Sequence, residues 1–262
     1  MCELLGMSAN VPTDICFSFT GLMQRGGRTG PHKDGWGIVL YEGKAIREFR
    51  DSQPSYQSAV AELVKQYPIK SCIVISHIRQ ANSGRVCLEN THPFIRELWG
   101  RKWTFAHNGQ LKKAKQALPL SFYLPVGTTD SEHAFCWMLA QIRQQFPVMP
   151  EQPEPIWQAI HQLCCQLNEY GVFNLLLSEA NYLYAFCSTK LSWLTRRAPF
   201  AEAILKDAEL KIDFQKETTP NDVVTVIATE PLTTNETWNT LEPGELAVFQ
   251  LGELVSTIKA KE

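Results

Sequence analysis

Residues 71–78 read SCIVISHI, an unbroken apolar run rich in β-branched side chains. A strand with one face in water alternates apolar and polar positions, so an unbroken run marks a strand buried on both faces. The sheet that holds it needs cover on both sides, and the flanking sequence offers that cover. Upstream, SYQSAVAELVKQY (residues 55–67) carries Tyr56, Val60, Leu63 and Val64 at helical spacing. CELLGM (2–7) and WGIVLY (36–41) read as strands, and KAIREFRD (44–51) continues the second as a hairpin through Glu42-Gly43. Downstream, WTFAHNG (103–109) reads as a strand broken by Asn-Gly.

TTDSEHAFCWMLAQIRQQF (128–146) is the clearest helix, with Thr129 and Glu132 in a T-x-x-E capping box. Its apolar stripe is Phe135, Met138, Leu139 and Ile142. PVMPEQPEP (147–155) reads as a proline-rich connector between helices. The next helix starts at Pro155, packs Ile156, Ile160, Leu163 and Leu167, and stops at Gly171. Five strands follow: VFNLLLSE, NYLYAFCS, KLSWLT, DVVTVIATE and GELAVFQLG. Strands, then two helices, then strands predict the α+β class, with sheets covered by helices. No repeat or composition break divides the chain, so residues 1–262 are expected to form one domain.

The bulk properties narrow the function. With 44% hydrophobic and 20% charged residues, the 262-residue chain can bury a sizeable core. A net charge of −2 and a pI near 6.3 give no electrostatic case for nucleic acid or an anionic membrane surface. The eight cysteines are scattered without C-x-x-C, and Cys164-Cys165 are adjacent, so neither a zinc site nor a secreted disulfide framework is signalled. No basic n-region leads the chain, and no run approaches the ~20 apolar residues of a membrane span. The expected compartment is cytoplasmic, with reduced thiols. No metal site is expected either, since H-x-x-x-H and H-E-x-x-H are absent.

Several stretches carry chemistry, each with a structural alternative. RGGRTGPHKDGWG (25–37) holds five glycines but fits neither nucleotide-binding glycine pattern. It reads as a mobile loop entering a strand, or as a cover over a substrate. In SHIRQA (76–81), Arg79 ends the buried strand. Its guanidinium there needs an anion, either an internal partner or a substrate carboxylate held bidentately. Asn-Gly in FAHNGQL (105–111) is usually a turn. An amide side chain and a glycine N–H are also what an oxyanion hole uses. Asp130 in GTTDSEH (127–133) either favours the helix N-terminus or receives an ammonium. His77, His92, His107 and His133 lie near these stretches, but with eight cysteines present a chance Cys–His proximity is expected.

Cys2 directly behind the initiator is the remaining oddity: a small residue opening a buried strand, or something chemical. Cys2, DGWG (34–37), SHIRQA, NTHPF (90–94), AHNGQL (106–111) and TTDSE (128–132), in that order, resemble the glutaminase domain of class II glutamine amidotransferases. These are N-terminal-nucleophile hydrolases. The match is detailed up to the helix at 128–146 and broad beyond it.

The resemblance implies a four-layer αββα sandwich of two antiparallel sheets, with the N-terminal strand central. It implies that Met1 is removed and that the Cys2 thiol attacks a γ-carboxamide, with its own α-amino group as base. A free α-amine titrates at about 7.7–8.0 and a thiol at about 8.5, so that proton exchange is feasible near neutrality. Arg79 would hold the α-carboxylate of glutamine and Asp130 its α-ammonium. Asn108 and the Gly109 N–H would stabilise the oxyanion. His92 would orient the neighbouring loop, and Trp36 and Gly37 would shape the pocket wall. No cofactor is implied. The larger synthases have Arg-Trp where this chain has Arg79-Gln80, so one wall of the pocket is expected to differ.

At 262 residues the chain is expected to carry no synthase unit of its own. The expected partners are therefore a small-molecule substrate and a separate ammonia-acceptor enzyme. Three functions remain open: a glutaminase, a hydrolase of γ-glutamyl amide conjugates of larger metabolites, and a non-enzymatic module that senses glutamine or binds a partner.

Overall fold

The computed structural model describes residues 2–81 and 84–259. Met1, whose removal the resemblance implies, lies outside the described residues.

The first half of the chain forms β1 (Glu3–Thr13), α1 (Cys16–Arg25), β2 (Trp36–Glu42), β3 (Ala45–Asp51), α2 (Ala59–Gln66) and β4 (Ser71–Ile78). It continues through β5 (Phe94–Leu98), β6 (Arg101–Leu111), the short α3 (Ala114–Ala117), α4 (Asp130–Gln145) and α5 (Glu154–Asn168). The remainder is strands: β7 (Gly171–Ser178), β8 (Leu183–Cys187), β9 (Ser192–Arg196), β10 (Glu202–Ile204) and β11 (Lys211–Asp213). Last come β12 (Val224–Ala228), β13 (Asn239–Thr240), β14 (Glu245–Gln250) and β15 (Glu253–Ile258).

Two antiparallel sheets carry the fold. One has the order β13-β9-β12-β1-β4-β2-β3 and the other β15-β14-β8-β7-β6-β5. The SCIVISHI strand, β4, pairs with β1 on one side and β2 on the other. Its Ile73 and Ile75 face the space between the sheets with Leu4, Val39, Ala106 and Leu176. Its Val74 and Ile78 face the opposite way, against Phe19 and Leu22 of α1 and Ala61 and Val64 of α2. On the far side of the second sheet, Phe105, Leu175 and Phe186 pack against Phe135 and Met138 of α4 and Ile160 of α5. The result is the expected αββα sandwich. Each fully buried leucine or phenylalanine in these layers contributes about 1.5–3 kcal/mol.

Three local readings change. β6 is not broken at Asn-Gly but runs to Leu111, because β7 pairs with Asn108, Gly109, Gln110 and Leu111 in unbroken register. The stretch 55–67 splits into a single turn at Ser55–Gln57 and a short α2, started by Ser58 accepting from the Ala61 N–H at 3.2 Å. The capping box at α4 is half made. Thr129 accepts from the Glu132 N–H at 3.1 Å, but the Glu132 carboxylate turns to Arg96 and to the Val126 and Gly127 N–H groups.

Candidate active site

The pairing of Glu3 with Ile78 sets the register of β1 on β4 and brings Cys2 beside Arg79 and Gln80. The Gln80 N–H points at the Cys2 sulfur across 3.3 Å. The segment 79–81 is clamped from the glycine-rich loop: Asp34 N–H donates to the Arg79 carbonyl, Arg79 N–H to the Gly35 carbonyl, and Ala81 N–H to Asp34 Oδ2. The end of that loop is thus a structural support for the neighbours of Cys2. Its first residue, Arg25, is consumed in buried ion pairs with Glu3 and Asp207.

Cys2, Arg79, Gly109 and Asp130 line one narrow cleft, together with His92 and His107. Arg79 is buried, and its Nη1 donates to the Arg85 carbonyl at 3.0 Å. Asp130 opens α4, and its Oδ2 accepts the Leu111 N–H at 2.7 Å while Oδ1 accepts the Ser131 N–H at 2.9 Å. Asn108 lies behind the cleft wall with no exposed surface. Its Nδ2 stands 3.5 Å from Thr229 Oγ1, and its Oδ1 is buried without a partner.

Gly109 is required by close approach. A Cβ at this position would fall 1.7 Å from the Val172 carbonyl oxygen and 2.7 Å from His107 Nε2. The room it leaves is used by the His107 ring, whose Nε2 donates to Val172 O at 3.0 Å. A carbonyl only accepts, so Nε2 carries the hydrogen. Nδ1 is then the acceptor for the Ser131 hydroxyl, 2.8 Å away. Residue 107 therefore ties β6 to the first turn of α4, where Asp130 sits. Sequence reading noted His107 only as one histidine among several.

His92 stacks between the rings of His77 and Phe94, with centroids 4.2 and 4.3 Å apart, and neither of its ring nitrogens has a partner among the described residues. Burial drives the pKa of His92 well below the ordinary histidine value and that of His77 down to about 3. His107 is also lowered by burial, against the pull of Asp130. These rings are neutral and tune no charge at physiological pH. Burial pushes the Cys2 thiol up, opposed by the Gln80 N–H and by the charge of Arg79. The resting group is the thiol, which needs a base to become a nucleophile.

Trp36 and Gly37 do not line the cleft. Trp36 packs in the helix-facing core against Phe19, on the other face of its sheet. Gly37 admits the His92 carbonyl, which a Cβ would meet at 2.3 Å. Cys165 lies 3.6 Å from His161 Nε2, outside the cleft, but that nitrogen donates to the Gly244 carbonyl and cannot take the thiol proton. Among the described residues no group of three or more His, Cys, Asp or Glu is placed to hold a metal ion, and no helix is long and apolar enough to cross a membrane. A larger hollow of about 590 Å³ lies elsewhere, between α1 and the β10–β11 hairpin, and none of the expected site residues lines it.

Comparison with known proteins bears on this arrangement. The family model described as "Glutamine amidotransferases class-II" matches residues 1–262. The chain is 62% identical to "Putative glutamine amidotransferase YafJ" of Escherichia coli (strain K12), over 97% of this chain and 100% of that protein. It is 53% identical to a crystal structure of a "predicted glutamine amidotransferase" from Pseudomonas aeruginosa PA01, with a TM-score of 0.77 over 97% of this chain and 100% of that one. Glutamine phosphoribosylpyrophosphate amidotransferase from B. subtilis shares the fold at 16% identity, with a TM-score of 0.65 over 98% of this chain and 49% of that one.

Proposed function

The chain belongs to the class II glutamine amidotransferases, and on that premise we propose that it hydrolyses the side-chain amide of glutamine through a thioester on Cys2. The observation that carries the reading is the shared cleft of Cys2, Arg79, Gly109 and Asp130. An arginine and a carboxylate there match the two charged groups of a free α-amino acid. A thiol and a strand N–H match its side-chain carbonyl.

The Cys2 sulfur attacks the carboxamide carbon, and the thiol proton passes to the α-amino nitrogen of the same residue. That nitrogen is a base only once Met1 is gone. The oxyanion that forms is stabilised by Gly109 N–H and the Asn108 amide. The amine then protonates the leaving nitrogen, ammonia departs, and an acyl thioester remains. Water adds to the thioester, its proton returning through the amine to sulfur, and glutamate leaves. His77, His92 and His107 are held neutral by burial, and the described hydrogen bonds of the Cys2 sulfur are to Gln80. A base on the nucleophile's own residue is consistent with both facts.

We assign the ammonia to a separate acceptor enzyme and the protein to the cytoplasm, where a terminal thiol stays reduced. The test uses protein processed to an N-terminal cysteine and confirmed by intact mass. Glutamate and ammonia should appear in equal amounts from glutamine, and Cys2→Ala should lower turnover by about 10³-fold or more with the fold retained. Turnover that survives the substitution rejects the nucleophile. A γ-glutamyl amide with kcat/KM orders of magnitude above glutamine would move the assignment to a conjugate hydrolase. Binding of glutamine without turnover would leave a sensing module.

A further inference from the structure

We propose that Thr229 is a positioning residue that sets which end of the Asn108 amide faces Cys2; the inference rests on the glutaminase reading above. Thr229 directly follows β12 and is buried. It is locked to the nucleophile's strand in both directions. The Leu4 N–H donates to Thr229 Oγ1 at 2.9 Å, and the Thr229 N–H donates to the Leu4 carbonyl at 3.2 Å. Side chains alternate along β1, so Cys2 shares with Leu4 the face turned toward the second sheet. On β6, Ala106 faces the same interior, and Asn108 lies two residues further along the strand.

The hydrogen-bond count then decides the orientation. A hydroxyl has one hydrogen to donate. One Oγ1 lone pair of Thr229 is taken by Leu4, so its hydrogen needs an acceptor. With Asn108 Nδ2 donating to Oγ1 at 3.5 Å, that hydrogen has no acceptor among the described residues, and Asn108 Oδ1 is buried there without a partner as well. Each unpaired buried group is costly. A half-turn of the carboxamide pairs the two orphans with each other: Thr229 donates to Oδ1. The NH₂ then occupies the position where Oδ1 is now buried, a place that no protein donor among the described residues reaches. An amide donor there suits an oxyanion, and a carbonyl oxygen in the same position would repel one. Thr229 therefore selects the donor orientation, while the Asn174 amide bonds the Asn108 backbone carbonyl at 3.2 Å and holds the strand in place.

The experiment compares Thr229→Val and Thr229→Ser in Met1-processed protein. Losing one oriented donor at an oxyanion costs about 10²–10³-fold in kcat, so Thr229→Val should lower kcat by roughly that range or somewhat less. KM for glutamine should stay within about twofold, since Arg79 and Asp130 are untouched, and Thr229→Ser should restore kcat to within about threefold. A folded Thr229→Val with wild-type kcat overturns the proposal. If the valine variant does not fold, ¹⁵N-edited NOE spectra of the wild type decide instead. Contacts from the Asn108 side-chain NH₂ to Cys2 Hβ support the assignment, and contacts to the Thr229 side chain overturn it. The two readings fail separately. Wild-type protein without Cys2-dependent glutamine turnover sinks the glutaminase reading, whereas the NOE pattern tests the amide orientation in either case.

Discussion

Cys2 and Glu3 are chain neighbours on opposite faces of β1, and the polar clusters around them are built on opposite terms. On the Glu3 side every charge is met. Arg25 reaches Glu3 at 3.1 Å and Asp207 at 2.8 Å, and donates to the Glu230 and Pro231 carbonyls as well. Thr29 adds a hydrogen bond to Asp207. On the Cys2 side, Asn108 Oδ1, His77 Nδ1 and both nitrogens of His92 are buried without partners among the described residues. A polar cluster that serves the fold saturates itself, because each orphan costs stability. A cluster that serves a ligand leaves groups for the ligand to satisfy. The contrast is what the proposed site predicts for the two faces at the start of β1.

The strongest way to break the comparison is at its saturated end. Arg25→Met would strand Glu3 and Asp207, whose side chains are 12% and 13% exposed, beside an apolar group. Removing one partner of a buried ion network costs about 3–5 kcal/mol. Urea unfolding should show that loss, while kcat of the protein that remains folded stays near wild type. A large fall in kcat at full stability would mean that the cluster belongs to the site.

The open end should respond the other way. Arg79→Lys keeps the charge but loses the planar fork that suits a carboxylate. KM for glutamine should rise about 10–100-fold, or about 1.4–2.7 kcal/mol, with kcat less affected and the unfolding midpoint little moved. An unchanged KM would show that Arg79 serves the fold through its bond to the Arg85 carbonyl and does not bind the substrate.

The same asymmetry explains what could be read from the sequence. Sheets covered by helices were legible because burial on both faces writes itself into SCIVISHI and because α4 and α5 carry a 3.6-residue period, whereas the four-layer arrangement came from the family resemblance. The motif residues were legible through the family resemblance that their order carries, and five of them meet in the cleft. Helix α1 was not read. Its N-cap position is Ile15, which gives no side-chain cap, and eight of its ten residues are buried, so neither a start signal nor a polar face marks it. The Asn-Gly in β6 misled because a local turn preference was outvoted by pairing with β7, a partner more than sixty residues away. The resemblance implies Trp36 at the pocket wall, but its side chain packs with Phe19 on the helix-facing side of its sheet, because neighbouring strand residues face opposite ways. Thr229 left no signal at all, since its importance lies in contacts with residues 4 and 108.

The smallest predicted effect concerns the neutral histidines at the boundary of the open cluster. In the unfolded chain a histidine titrates near 6.5, whereas burial holds folded His77 down at about 3. Between those values the unfolded state binds the extra proton, so stability rises with pH through this window and is lost as pH falls below about 6.5. From pH 7 to pH 5.5 the loss is about 1.3 kcal/mol for His77. His92 and His107, lowered in the same direction, add to it. His77→Gln keeps an amide that can reach the His107 carbonyl, which His77 Nε2 contacts at 3.1 Å. Whatever that variant does to stability at pH 7, its further loss between pH 7 and 5.5 should be smaller than wild type by about 1.3 kcal/mol. An identical pH slope in the two proteins would mean that folded His77 takes up the proton, which requires water or a counter-charge to reach its unpaired Nδ1. The cluster would then be wet, and its orphaned groups already satisfied by solvent before any substrate arrives.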